Sequence, residues 1–195
     1  ADLDALARTP FRTVMVAKTE DADALDVFGA GYDLLALCET ARGIHAAGRM
    51  AAHPHVTGLM WGAEDLVASL GGTSSRFADG RYRDVARVAR AQVLLAAGAH
   101  GKGAIDAVHL DIADLEGLQD EAIDAAASGF RATACIHPSQ VATIRDAYRP
   151  GADAVAWARA VLAAAAGERG VFRFEGRMID EPVLRHARSL IARAG

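Results

Sequence analysis

Residues 57–72 read TGLMWGAEDLVASLGG: an apolar run ending at Trp61, one glycine, the acidic pair Glu64-Asp65, then apolar positions at helical spacing. A short apolar run that meets a helical pattern reads as a buried strand followed by a helix, and the acids fall at the junction. Residues 33–43, DLLALCETARG, repeat the arrangement, with Glu39 at the junction. Working outward, strand-like runs fall at residues 13–17, 33–38, 57–61, 107–112 and 132–136. Helical patterns follow at 21–29, 41–53, 66–70 with 81–99, 114–128 and 138–148. Five strand-helix units in succession predict an α/β protein with parallel strands and right-handed crossovers.

Two architectures fit such a repeat: an open doubly wound sheet, or part of an eight-stranded (β/α)8 TIM barrel, which typically takes about 250 residues. The 195 residues favour the open sheet by length. The chemistry points the other way. VAKTEDAD after the first strand lacks the glycines of a phosphate-binding turn, and polar residues follow several different strands, which only a barrel gathers around one point. The barrel is therefore the expectation for residues 1–150. Residues 151–195 form a separate extension, with a helix at 152–166, a hairpin in VFRFEGRMID and a last helix at 182–194, packing on the barrel or on a neighbouring subunit.

Composition bounds the function. Hydrophobic residues make up 52% of the chain, and the mean hydropathy of +0.13 supports a sizeable core. A net charge of −4, with Lys and Arg scattered, argues against a nucleic-acid surface. No apolar run reaches the length of a membrane span, and the first residues show no signal-peptide pattern. The two cysteines, Cys38 and Cys135, sit in apolar runs and read as buried reduced thiols, which places the protein in the cytoplasm. The opening ADLDALARTP reads as the end of an amphipathic helix without its beginning, so the expectation is a longer protein.

Glu39 and Asp65 lie one strand-helix unit apart and would stand at the tops of adjacent strands. Two carboxylates so placed can share a hard cation, Mg²⁺ or Mn²⁺, with positions left for water or substrate. Each could equally cap its helix. Arg42, in the first turn after Glu39, could meet an anionic substrate. Arg76 and Arg81 lie in the long loop GGTSSRFADGRY, which could close over a site or stay solvated. In AVHLDI, alternation sets His109 and Asp111 on the inner face.

The segments LLALCETARGI, GLMWGAEDLVASLGG, AIDAVHLDIADLEGL, GFRATACIHPSQ and RMIDEPVLRHA, in this order, resemble the citrate lyase β-subunit-like branch of the HpcH/HpaI aldolase family. The resemblance implies a (β/α)8 barrel of the phosphoenolpyruvate/pyruvate-binding type, of which the last five strand-helix units are visible. It also implies a homo-oligomer, trimer or hexamer. Glu39 and Asp65 would be the Mg²⁺ ligands, Arg42 and Arg76 candidate contacts to the CoA thioester, and Asp180 the acid or base reaching a neighbouring subunit's site. The implied activity is cleavage of a short β-hydroxyacyl-CoA, of the citramalyl-CoA or malyl-CoA type, to acetyl-CoA and a 2-oxo acid. The alternative is a non-catalytic scaffold that retains the metal site by descent. Asp180, before Glu181-Pro182, is also a good helix N-cap. The family commonly has Pro-Lys where this chain has Ala17-Lys18.

Overall fold

The structure, a computed structural model, describes residues 2–168 and 170–194. It divides into two compact units, one ending at Gln140 and the other beginning at Val141.

In the first unit, a short helix α1 (Asp2–Leu6) precedes strand β1 (Thr13–Val16) and a 3-10 segment at Asp23–Gly31. Then come β2 (Asp33–Cys38), α2 (Ala41–His45), α3 (Ala47–Ala52), β3 (Val56–Trp61), α4 (Ala63–Ser69), α5 (Asp84–Ala99), β4 (Gly103–Asp106), α6 (Leu115–Ser128) and β5 (Ala132–Thr133). The helix α7 (Gln140–Tyr148) starts at the last residue of this unit. All five strands pair in parallel, in chain order. Each crossover therefore moves one strand along in the same direction, without the reversal of order that makes a switch point in a doubly wound sheet.

The core lies where apolar residues of the middle strands meet the helices. Leu34, Ala36 and Cys38 on β2 are fully buried, as are Val56, Leu59 and Trp61 on β3, with Met50 of α3 and Val93 of α5. The helices α3 and α5 pack on each other and on β3. Near-continuous burial along β3 is the mark of a parallel strand covered on both faces.

Two strands depart from the sequence reading. The fourth is Gly103–Asp106, not 107–112; Leu110 and Ile112, the apolar half of that alternation, are exposed. Strand pairing starts at Gly103, which lies against Gly58, and ends where Asp106 turns its carboxylate to side chains. His109 accordingly faces α6 rather than an inner sheet face, bonded to Glu121 and Asp114. The fifth strand pairs only at Ala132 and Thr133. Beyond it the backbone is held by Gln140, whose buried amide accepts from Ile136 N–H at 3.0 Å and donates to the His109 carbonyl at 2.9 Å. Cys135 is exposed here, whereas Cys38 is buried as expected.

In the second unit, α8 (Ala152–Ala165), the antiparallel hairpin β6 (Phe172–Phe174) and β7 (Arg177–Ile179), and α9 (Glu181–Ala194) share a small core of Ala158, Val161, Ile179, Ala187 and Leu190. The two-residue turn Glu175-Gly176 has positive φ at both positions, the twist that suits a tight hairpin. Among the described residues no helix is long and apolar enough to cross a membrane.

Candidate functional site

The carboxyl ends of β1, β2 and β3 carry Lys18, Glu39 and Asp65, and the structure brings these three side chains together. Glu39 follows β2 directly and is buried. Its Oε1 accepts the backbone N–H of Lys18 at 3.0 Å. Its other oxygen lies over Gly62, where a Cβ would come within 3.1 Å of Oε2 and 3.0 Å of the Glu39 Cβ. A side chain at position 62 would push the carboxylate off the end of β3. Asp65 sits in the first turn of α4, and the Lys18 ammonium donates to its Oδ1. That bond raises the Lys18 pKa above the usual lysine value.

The segment that carries Lys18 is clipped to the next unit. Thr19 N–H donates to the Leu37 carbonyl at 3.1 Å, and the Thr40 hydroxyl donates to Glu20 Oε1 at 2.6 Å. Thr40 also caps α2 by accepting from Gly43 N–H. Gly43 lets α2 close on the turn after β1, since a Cβ there would lie 2.5 Å from the Thr19 carbonyl oxygen. Lys18 itself holds φ of +49°, a conformation that non-glycine residues adopt at a cost.

Neither acid is a helix cap: Thr40 supplies the cap of α2, and Gly62 stands at the cap position of α4 without a side-chain bond. What Glu39 and Asp65 offer is two hard oxygen donors on adjacent strand ends. This donor set suits a small divalent cation that keeps several positions for water or ligand. No group of three or more His, Cys, Asp or Glu that could hold a metal ion occurs among the described residues.

The remaining candidates lie elsewhere. Arg42 is exposed on α2 and makes no ion pair among the described residues. Arg76 pairs with Glu121, donates to the Gly80 carbonyl at 2.7 Å and stacks 3.8 Å from the Tyr82 ring centroid. Its loop is thus tied down, helped by Ser75 Oγ donating to Glu64 Oε1. Asp180 belongs to the second unit, where its Oδ1 accepts from Val183 N–H at 3.2 Å and caps α9.

Sequence reasoning missed a second charged network. Arg90 donates to both oxygens of Asp106, at 2.7–3.1 Å, and pairs with Asp124 at 2.8 Å. Trp61 Nε1 also donates to Asp106. A cavity of about 1530 Å³ opens beside it, lined in part by Arg76, Tyr82, Arg90, Asp106, His109 and Asp124. Arg76, Arg90, Asp106 and Asp124 in its lining are already paired, and the described residues leave no buried side-chain polar atom without a partner. We therefore place the candidate site at the strand ends and not in this larger space. The signal for Asp106 was the run AID directly after Gly101-Lys102-Gly103, hidden by starting the strand at Ala107.

Over 194 residues the chain is 59% identical to a citrate lyase subunit beta-like protein of Mycobacterium tuberculosis, covering all of this chain and 71% of that one. It is 34% identical over 140 residues to the mitochondrial citramalyl-CoA lyase of Rattus norvegicus, covering 70% of this chain and 40% of that one. It is 32% identical over 201 residues to a (3S)-malyl-CoA thioesterase of Cereibacter sphaeroides, covering 100% and 69%. A crystal structure of CitE from M. tuberculosis in complex with magnesium, acetoacetate and coenzyme A superposes with a TM-score of 0.92 at 58% identity, covering 100% of this chain and 72% of that one. The sequence pattern of the HpcH/HpaI aldolase/citrate lyase family matches residues 2–138, and the chain belongs to that family.

Proposed function

We propose that this protein is a Mg²⁺-dependent carbon-carbon lyase that cleaves a short β-hydroxyacyl-CoA, of the citramalyl-CoA or malyl-CoA class, to acetyl-CoA and a 2-oxo acid. The observation that carries the reading is that Glu39 and Asp65, on adjacent strand ends, both contact Lys18, with a glycine cleared beneath Glu39. The solved relative that holds magnesium and coenzyme A supports it. Glu39 and Asp65 would hold the metal, which when bound supplies Lewis-acid stabilisation of negative charge on a substrate oxygen.

The chain's own residues divide the remaining work. The backbone N–H of Lys18 orients Glu39 by occupying one of its oxygens. Cleavage removes the substrate hydroxyl proton, and the C–C bond electrons pass to the enolate of acetyl-CoA, whose terminal carbon must take up a proton. Asp180 of a neighbouring copy is the residue we assign to that proton transfer. Arg42, exposed and unpaired among the described residues, is the better placed of the two arginines for an anionic group of the thioester. Arg76 would have to exchange its bond to Glu121 first. The singly wound sheet is, in this reading, an arc of a (β/α)8 barrel in a cytoplasmic homo-oligomer, trimer or hexamer.

The test is release of acetyl-CoA and pyruvate from racemic citramalyl-CoA, with Mg²⁺ and with EDTA. Release that EDTA stops supports the lyase. Free CoA without acetyl-CoA replaces it with thioester hydrolysis, and no turnover of either kind leaves a non-catalytic scaffold. Asp180→Asn is expected to slow turnover and leave Mn²⁺ binding unchanged.

A further inference from the structure

Lys18 touches both proposed metal ligands through different atoms, and the two contacts differ in kind. The backbone N–H bond to Glu39 is fixed by the fold, because Thr19 is anchored on the Leu37 carbonyl and the peptide has no other place to go. The side-chain bond to Asp65 is made by a flexible stem at an exposed position: the Lys18 and Asp65 side chains are 59% and 50% exposed. Such a pair is weak and exchangeable. It is also the one ion pair that Asp65 makes among the described residues.

The backbone at this position carries a further sign. Lys18 keeps a left-handed φ, strained for a lysine, because its own N–H is bonded to Glu39 and the next N–H to the Leu37 carbonyl, so its side chain leaves a fixed backbone point. Any divalent cation that takes Asp65 must displace the ammonium. The displaced group stays tethered at the end of β1, within reach of whatever anion approaches from solvent. No other cationic side chain contacts Glu39 or Asp65 among the described residues.

Building on the lyase reading, we propose that Lys18 is a binding residue that serves two partners in turn: it pairs with Asp65 before the metal arrives, and with the carboxylate of the 2-oxo acid once the metal has taken Asp65. Lys18 thus competes with the cation and cooperates with the anion, so its removal moves the two affinities in opposite directions.

The experiment uses the full chain, with Mn²⁺ binding followed by electron paramagnetic resonance and pyruvate binding by calorimetry at saturating Mg²⁺. Lys18→Met is expected to bind Mn²⁺ about two- to fivefold more tightly, the scale of an exposed ion pair removed. The same variant is expected to bind pyruvate about tenfold more weakly, the scale of a lost charge-assisted hydrogen bond. Lys18→Gln serves as a second neutral replacement if the methionine variant does not fold, and Lys18→Arg is expected to retain most of the pyruvate affinity. Unchanged pyruvate affinity in the neutral variants overturns the proposal, as does a parallel loss of Mn²⁺ and pyruvate binding, which would make Lys18 a structural support. If the unaltered chain binds no Mn²⁺, the metal reading fails and takes this proposal with it; if it binds Mn²⁺ and the variants match it, only the role of Lys18 fails.

Discussion

Two groups of charges stand on one sheet and are treated differently by the fold. At the ends of β1 to β3, Lys18 and Asp65 remain half exposed and paired with each other, and among the described residues Glu39 is hydrogen-bonded through a single oxygen. On the β4 side, Arg90 and Asp106 have side chains only 19% and 9% exposed, and every partner oxygen is bonded. The second group is saturated and holds structure. The first keeps donors in reserve, and that reserve makes it the candidate site.

The contrast can be broken most forcefully at Asp106. Replacing it with Ala leaves the Arg90 guanidinium and the Trp61 N–H without their shared partner, and loss of one member of a buried pair costs about 3–5 kcal/mol. Urea denaturation is expected to show that loss; a change below about 1 kcal/mol would mean that the network is as slack as an exposed pair. At the strand ends the reverse holds. Asp65→Ala is expected to weaken Mn²⁺ binding by more than the ~10- to 100-fold that removal of a mere supporting partner costs. Its melting temperature should stay close to that of the unaltered chain, because an exposed pair contributes little.

A smaller effect tests how α2 and the turn after β1 are joined beneath the candidate site. Gly43→Ala places a methyl 2.5 Å from the Thr19 carbonyl oxygen, so the turn carrying Lys18 must move. Overpacking of this kind costs about 1–3 kcal/mol, and Mn²⁺ affinity should fall alongside stability. Intact affinity in that variant would show the Lys18 turn to be independent of α2. The smallest expectation is a labelling difference. Burial pushes the Cys38 thiol up to about 12, so at pH 8 it stays protonated and unreactive, while the exposed Cys135 is open to a thiol reagent. One fast equivalent per chain is expected, and a second appears only on unfolding.

The first three strands were legible from sequence because apolar runs and helical spacing change over sharply at Glu39 and Gly62. The position of Glu39 and Asp65 after adjacent strands was legible for the same reason, since equivalent junctions of successive units fall at adjacent strand ends. Lys18 carried no such signal. Its importance comes from a left-handed backbone and a bond spanning three strands, neither of which periodicity encodes. The fourth strand was misplaced because Gly103 reads as a breaker, while the apolar residues after Asp106 read as strand yet lie exposed. Burial there is decided by where Arg90 and Trp61 reach, a tertiary fact. The hairpin and helices of the second unit were legible from the turn at Glu175-Gly176 and from Asp180 ahead of Pro182.

The three strand-end residues all lie between positions 18 and 65, within little more than two strand-helix units. Synthesis runs from the amino terminus, so all three are made before Arg90. The order of assembly follows: a chain emerging from the ribosome would bring Lys18, Glu39 and Asp65 together as soon as α4 is made, before Arg90 exists to meet Asp106. The part that binds would take shape first, and the saturated network that steadies the sheet would be added behind it.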